Sequence, residues 1–501
     1  MKKIFLFCTV SFLITIPQKI FACGNEYYTP ELPLAEGKLN LDEILNSKYD
    51  LIYPYWSSMR GDNLYAHWDS LYKVIFNSKN IRSNAKVHWH QIEDALTRKV
   101  DFRLLSDFAW YELKLYDNYV NNELRVRDLF THNAGLGNAD WLWVFDYSMD
   151  TIIHQMRYMQ PAYSYHSSFI YQNLMYMVAG EVIHKISGKP WNEFITQKLF
   201  KPLGMNNTFA TYKNANGYAD RITTHYMFED SVIKTIPFYD SKTVDAAGGV
   251  WSCADDINKW VMFILDSTKI NGTKLLKPET YAELFTPQSM VTKEEFYPTQ
   301  KLTHPHWTTY GLGWFQEDYK GKAVQFHTGS LDGGVAIIGL ITDEHFGIYI
   351  FANMDHTEIR HALMYKAMDM WVLNDDKNDW SKDFYNMYKA LADTAQKKEK
   401  EELAKHVRGT HPALALKEYT GRYSNKIFGK TELVLSNDSL VMKFAEGKFS
   451  MTLQHFNFDA FRGVYNNWWW GKSFVQFTMD KMGKVSGVLI DDVLYAKDSG
   501  K

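Results

Sequence analysis

The segment "YHSSFIYQNLMYMVAGEVIHKISGKPWNEFITQKLFKPLGMNNT", residues 165–208, constrains this chain more than any other. A polar triplet, Tyr171-Gln172-Asn173, precedes an apolar run with helical spacing, Ser187-Gly188 stops that run, and a second helical run ends in Lys-Pro-Leu-Gly-Met. A helix this apolar must be covered by other elements, so the fold has to bury it and hold the triplet at its entrance.

There is ample chain to do so. The 501 residues exceed one ordinary domain and favour two or three. Hydrophobic residues at 46% and charged residues at 23% are a globular composition, and a formal net charge of -3 lacks the electrostatic footprint of a nucleic-acid binder. Aromatic residues at 16% fit packed cores and sheets, or a pocket lined by rings.

The first residues, "MKKIFLFCTVSFLITIPQKIFAC", combine two lysines with an apolar run too short for a membrane span and a break at Pro17–Lys19. They read as an export signal, residues 1–22, and the expected location is the periplasm or the cell surface. Cleavage after Ala22 leaves Cys23 first, so both simple signal removal and a lipid tether at Cys23 are open. Cys8 falls in the signal, and Cys23 and Cys253 are too far apart to make a disulfide framework. No Cys and His cluster has zinc spacing, so no structural metal is implied.

Patterning divides the remainder. Residues 23–113 are polar with scattered aromatics and contain helical spacing in "WHQIEDALTRKVDFRLLSDFAWYELK". Residues 114–374 mix helical patterns with Gly-rich turns, and the charged stretch within 375–409 reads as a helical linker. Residues 410–501 hold short alternating runs such as "KTELVLS", "SLVMKFA", "SFVQFTMD" and "VSGVLID", the pattern of a small antiparallel β domain. The run Trp468–Trp470 within it either packs that domain or meets a ligand.

The 165–208 segment, together with "VRDLFTHNAGL" (126–136), "VDAAGGVWSCADDINKWVMFIL" (244–265) and "YGLGWFQEDYKGKAVQFHTGSLDGG" (310–334), resembles the serine β-lactamase and penicillin-binding-protein superfamily, in the class C-like serine hydrolases. The resemblance implies an α+β fold, an antiparallel sheet flanked by helices and incomplete at its N-terminal part, followed by the C-terminal β domain. It also implies serine-dependent hydrolysis of an amide or ester through an acyl-enzyme, with no metal or organic cofactor and with a small molecule or peptide as partner. Tyr171 would relay a proton, Asn173 would orient the substrate amide, and His327, Thr328 and Gly329 would border the substrate where relatives carry Lys-Thr-Gly or His-x-Gly. His132 is read as holding a turn, and Gly248 and Gly249 as loop geometry.

In this family a Ser-x-x-Lys tetrad opens a helix, placing serine and lysine one turn apart in one pocket. Two tetrads precede Leu115, Ser70-Leu71-Tyr72-Lys73 and Ser83-Asn84-Ala85-Lys86. Ser83 stands nearer the family's usual separation from the later motifs, but its surroundings lack the small apolar residues that bury such a helix. Ser70 has the better apolar continuation and stands too far away. The first hundred or so residues, with "ACGNEYYTPELPLAEGKLNLDEIL", instead resemble exported helical-repeat proteins, which places a junction near Leu113–Leu115. Two readings stay open: a serine hydrolase, impaired if its tetrad region is lost, and a non-catalytic pseudo-hydrolase that binds with the cleft alone. With neither tetrad set in a family-like helix, the chain is expected to show little or no acyl-enzyme activity. Substrate and oligomeric state are not legible.

Overall fold

The computed structural model describes residues 113–499 apart from 228–231, 239, 242 and 356, and these residues belong to one compact unit. Ser70, Ser83, Cys23, the signal and the helical pattern up to residue 112 lie outside the described residues.

The expected apolar helix spans Leu174–Ser187 and buries Leu174, Met175, Met177, Val178 and Val182. Gly188 ends it in the left-handed region, φ 69°, where a side chain would be strained. Gly180 lets the turn Asp245–Gly248 approach: an added Cβ would stand 2.6 Å from the Ala246 Cβ. The Gly248-Gly249 stretch is thus the end of a short helical turn rather than an open loop.

Beside this helical half stands a six-stranded antiparallel sheet. Its strands are β5 (Ser289–Met290), β6 (Thr308–Tyr310), β7 (Phe315–Tyr319), β8 (Lys322–Leu331), β9 (Gly334–Ile341) and β10 (Phe346–Ala352), and they lie in that spatial order. Strand β9 reads as a nearly continuous apolar run, "GVAIIGLI", because both of its faces are covered. Ile338 and Leu340 join the core under helix Ala254–Leu265, whereas Ile337 and Ile341 join the core under helix Ile359–Trp371. A hairpin of β1 (Thr224–Met227) and β2 (Ile233–Ile236) touches the β8–β9 turn, where the His225 amide donates to the Gly333 carbonyl. Helix Trp380–Ala404 closes the second layer with Trp380 and Phe384, and the Trp380 indole donates to the buried Asp369 carboxylate.

The C-terminal β domain is a closed eight-stranded barrel: β11 (Gly421–Asn425), β12 (Gly429–Ser436), β13 (Ser439–Phe444), β14 (Phe449–Asn457), β15 (Ala460–Tyr465), β16 (Lys472–Met479), β17 (Val485–Ile490) and β18 (Val493–Lys497). Inward and outward residues alternate along β13 and β16, which is the sequence periodicity made visible. Closure comes from β11 pairing with β18, Tyr423 opposite Lys497. Phe145 of the helical half is part of the barrel core and stacks on Phe444 with centroids 4.8 Å apart. The architecture is therefore α+β with a C-terminal antiparallel β domain, as expected. Among the described residues no helix is long and apolar enough to cross a membrane.

Candidate active site

Asp128, in the 3-10 turn Val126–Phe130, sets the frame of the site. Its carboxylate accepts the Arg125 amide at 2.8 Å, the Tyr165 hydroxyl at 2.5 Å and the His166 ring at 2.9 Å. One buried acid thereby ties the turn to the loop that leads into Tyr171.

Past that turn the chain reverses at His132, whose φ of 53° is unusual for a side chain of this size. The conformation is held because the His132 carbonyl accepts from the Tyr163 hydroxyl at 2.7 Å and the Ile170 amide at 3.2 Å. The ring is buried between Tyr171, at 4.3 Å, Tyr310, at 4.9 Å, and Tyr176, at 5.2 Å. Its Nδ1 accepts from the Gln172 amide, which assigns the proton to Nε2, a buried atom without a hydrogen-bond partner among the described residues. Burial first, then the neighbouring His327, push its pKa down to about 3. His132 does more than hold a turn: its neutral ring forms the floor under Tyr171.

Tyr171 is placed by its backbone, not by its hydroxyl. Its amide donates to Glu295 at 3.4 Å and its carbonyl accepts from Asn138 at 3.4 Å, while the hydroxyl has no hydrogen-bond partner among the described residues. Burial, then Tyr297, Tyr176 and Asp140, raise its pKa far above the ordinary phenol value. Asn173 occupies the N-cap position of the buried helix but makes no side-chain cap bond. Its amide instead donates to Asp140 at 3.1 Å, which leaves its carbonyl oxygen as an acceptor.

Opposite this loop lies strand β8. Its pairing with β7 ends at Phe326, so His327–Leu331 pair only with β9 and leave their other edge without a strand partner among the described residues. His327 lies beside the loop, with its ring centroid 6.0 Å from Tyr171, and burial lowers its pKa to about 4, so it is neutral at physiological pH. The Thr328 hydroxyl is already committed to the Ala336 carbonyl at 2.7 Å, which leaves its backbone for the cleft. At Gly329 an added Cβ would meet no heavy atom within 4 Å, so this position opens onto free space. The structure thus brings Tyr171 and His327 together, with Thr328 and Gly329 following His327 along the free strand edge and Asn173 two positions after Tyr171 at the start of the buried helix.

Several residues around that cleft carry no local sequence signal. Asp140 reaches Asn173 across 33 positions and Glu295 reaches Tyr171 across 124. Tyr297 donates to the Thr328 carbonyl at 3.4 Å. Beyond Tyr297 lies Arg360, only 6% exposed, with Nη2 3.4 Å from Glu358 and with Nε and Nη1 without a hydrogen-bond partner among the described residues. Among the described residues no group of three or more His, Cys, Asp or Glu could hold a metal ion.

The family model "Beta-lactamase" matches residues 76–368, and "Domain of unknown function (DUF3471)" matches residues 405–499, which hold the barrel. The unguisins hydrolase ungD' of Aspergillus campestris is 23% identical over 352 residues, covering 66% of this chain and 62% of that protein. The unguisins hydrolase ungD of Aspergillus violaceofuscus is 24% identical, covering 62% of this chain and 58% of that protein. An N-acetylmuramyl-L-alanine amidase of Bacillus subtilis is 24% identical over 274 residues, covering 48% of this chain and 58% of that protein. The chain spans about three fifths of the length of each of these relatives. Among solved structures, the octameric penicillin-binding protein homologue from Pyrococcus abyssi aligns over 79% of this chain and 82% of its own, with 18% identity and a TM-score of 0.48. With more than half of its length matched by the family model, the chain belongs to the β-lactamase family of serine hydrolases and penicillin-binding-protein relatives.

Proposed function

We propose that this chain hydrolyses an amide or ester through an acyl-enzyme formed on a serine. The observation that supports the reading is that Tyr171 lies 6.0 Å from His327, at the start of the unpaired edge of β8, in a chain of the β-lactamase family. Acyl transfer needs an activated serine, a proton relay and donors aimed at the developing oxyanion. An isolated phenol raised as far as Tyr171 is a poor base, and a nearby cation would bring it down. The tetrad lysine supplies that cation in this reading. Tyr171 then takes the serine proton and later returns a proton to the leaving group. Asn173, its amide held by Asp140, accepts from the substrate N–H through its carbonyl oxygen. Neutral His327 and the exposed backbone at Gly329 line the substrate, and a main-chain amide of this edge contributes to the oxyanion site.

Of the two tetrads, Ser83-Asn84-Ala85-Lys86 is the better candidate, because the family match begins at residue 76 and so includes it and omits Ser70. The name of the amidase relative favours an amide as the bond cleaved. Export and maturation to Cys23 remain part of the proposal, and the mass of the N-terminal peptide from the native host tests them.

The activity is tested on the full chain with a fluorophosphonate and a fluorescent penicillin. Because the family match runs through Ser83, stoichiometric labelling that disappears in Ser83→Ala replaces the little or no labelling that the tetrads' surroundings lead one to expect, and loss in Ser70→Ala instead would move the nucleophile to the other tetrad. A wild-type protein that is folded and never labelled would overturn the reading and leave a binding protein that uses the cleft without chemistry.

A further inference from the structure

Between β15 and β16 the barrel carries the 3-10 turn Trp468–Trp470. The Trp469 Nε1 donates to the Asp332 carboxylate at 2.9 Å, and Asp332 lies in the turn that joins β8 to β9. The Trp470 side chain also hydrogen-bonds Asp332, and its ring meets Trp141 edge-on with centroids 5.9 Å apart. Trp468 meets Tyr226 edge-on at 5.6 Å, with the Lys234 ammonium 5.6 Å from its ring, and both of those residues belong to the β1–β2 hairpin.

Asp332 follows the strand that carries His327, Thr328 and Gly329, and Trp141 follows Asp140, which holds Asn173. One barrel turn therefore holds both segments of the candidate site. The hold on the second segment is deep, because Trp141 also stacks on Tyr465 at 5.7 Å and Phe145 enters the barrel core. An extended chain rises about 3.3 Å per residue, so the Asp332 anchor lies about 10 Å beyond Gly329 along the free edge.

We infer that the Trp468–Trp470 turn closes the cleft at the end beyond Gly329, so that a peptide lying along the β8 edge extends only about three residues in that direction. The inference rests on the proposed hydrolase reading and narrows it: the enzyme works at or near the end of a peptide-like chain rather than in its interior. Trp469 and Trp468 are the specificity-determining residues, and the barrel is part of the substrate site as well as a packed domain.

The test is a ladder of N-acetylated alanine oligomer amides, from monomer to hexamer, in both D and L series. Each is titrated by intrinsic fluorescence and followed for cleavage position by chromatography, on the full chain and on Trp469→Ala and Trp469→Phe. The wild type should tighten up to about the trimer and weaken about tenfold for longer oligomers, and Trp469→Ala should regain about that tenfold. Trp469→Phe keeps a ring but loses the donor to Asp332, and it should fall between the two. If the alanine variant does not unfold cooperatively, Trp469→Phe and Asp332→Asn carry the comparison. An enzyme that takes the serine probe but shows the same length profile in wild type and variants overturns the end stop alone. Absence of probe labelling, together with absence of oligomer binding, overturns the hydrolase reading and this inference with it.

Discussion

Replacing His361 by phenylalanine should stabilise the protein and flatten its response to acid. His361 is fully buried, and among the described residues neither ring nitrogen has a hydrogen-bond partner. Aromatic rings surround it, Tyr297 at 5.3 Å, Phe384 at 6.3 Å and Tyr388 at 6.4 Å. Burial and then the adjacent Arg360 guanidinium lower its pKa from 6.5 to about 3. The Glu358 carboxylate 3.4 Å away would favour the charged ring, but it is shared with Arg360, and burial prevails.

Between the folded value and 6.5 the unfolded chain therefore binds a proton that the folded chain refuses, so stability falls as pH falls through that window. One such group contributes a slope of about 1.4 kcal/mol per pH unit, or about 2 kcal/mol between pH 6 and pH 4. At neutral pH, removing a buried polar ring with unmade bonds should gain about 1 kcal/mol, less any crowding by the larger ring. His132 and His327 are depressed in the same direction but are present in both proteins, so their contributions cancel in the difference. The assay is urea unfolding from pH 7 to pH 4, with native-state hydrogen exchange in helix Ile359–Trp371 as the local readout. If wild type and His361→Phe lose the same stability between pH 6 and pH 4, the ring is not a refused proton site and the reasoning is wrong.

Phe145→Ala should cost about 3–5 kcal/mol, because it empties a place in the barrel core that neighbouring strands cannot collapse into; a loss below about 1 kcal/mol in chemical denaturation would show that Phe145 does not anchor the two halves. Tyr171→Phe should leave the thermal midpoint nearly unchanged, since the hydroxyl makes no hydrogen bond among the described residues. The same variant should slow active-site serine labelling by about a hundredfold or more, and labelling at the wild-type rate would remove Tyr171 from the proton relay.

How much of this was legible in the chain depends on the range of the interaction. The helix Leu174–Ser187 could be read with its stop at Gly188, because helical periodicity and a left-handed glycine are local properties. The alternating runs after residue 420 announced antiparallel strands for the same reason, since a period of two needs only a strand with one wet face. The positions of Tyr171, Asn173 and His327–Gly329 came from motifs, which mark a site without stating its geometry.

What the motifs leave open was decided by contacts between distant segments. Asn173 stands at the N-cap position of the buried helix, and only the approach of Asp140 draws its side chain away from capping. His132 looked like a turn residue, and only the surrounding tyrosines show a neutral ring beneath the cleft. The alternating runs did not say whether the strands would lie open or close, because closure depends on β11 meeting β18 across some seventy residues. The tryptophan run could be weighed as packing or ligand contact, yet its contact with Asp332 links positions 137 apart. A sequence by itself determines its local conformational preferences and which surfaces must be buried. The partner that covers each surface, and therefore the electrostatics of the cleft, is chosen by tertiary packing, where residues meet that share no local pattern.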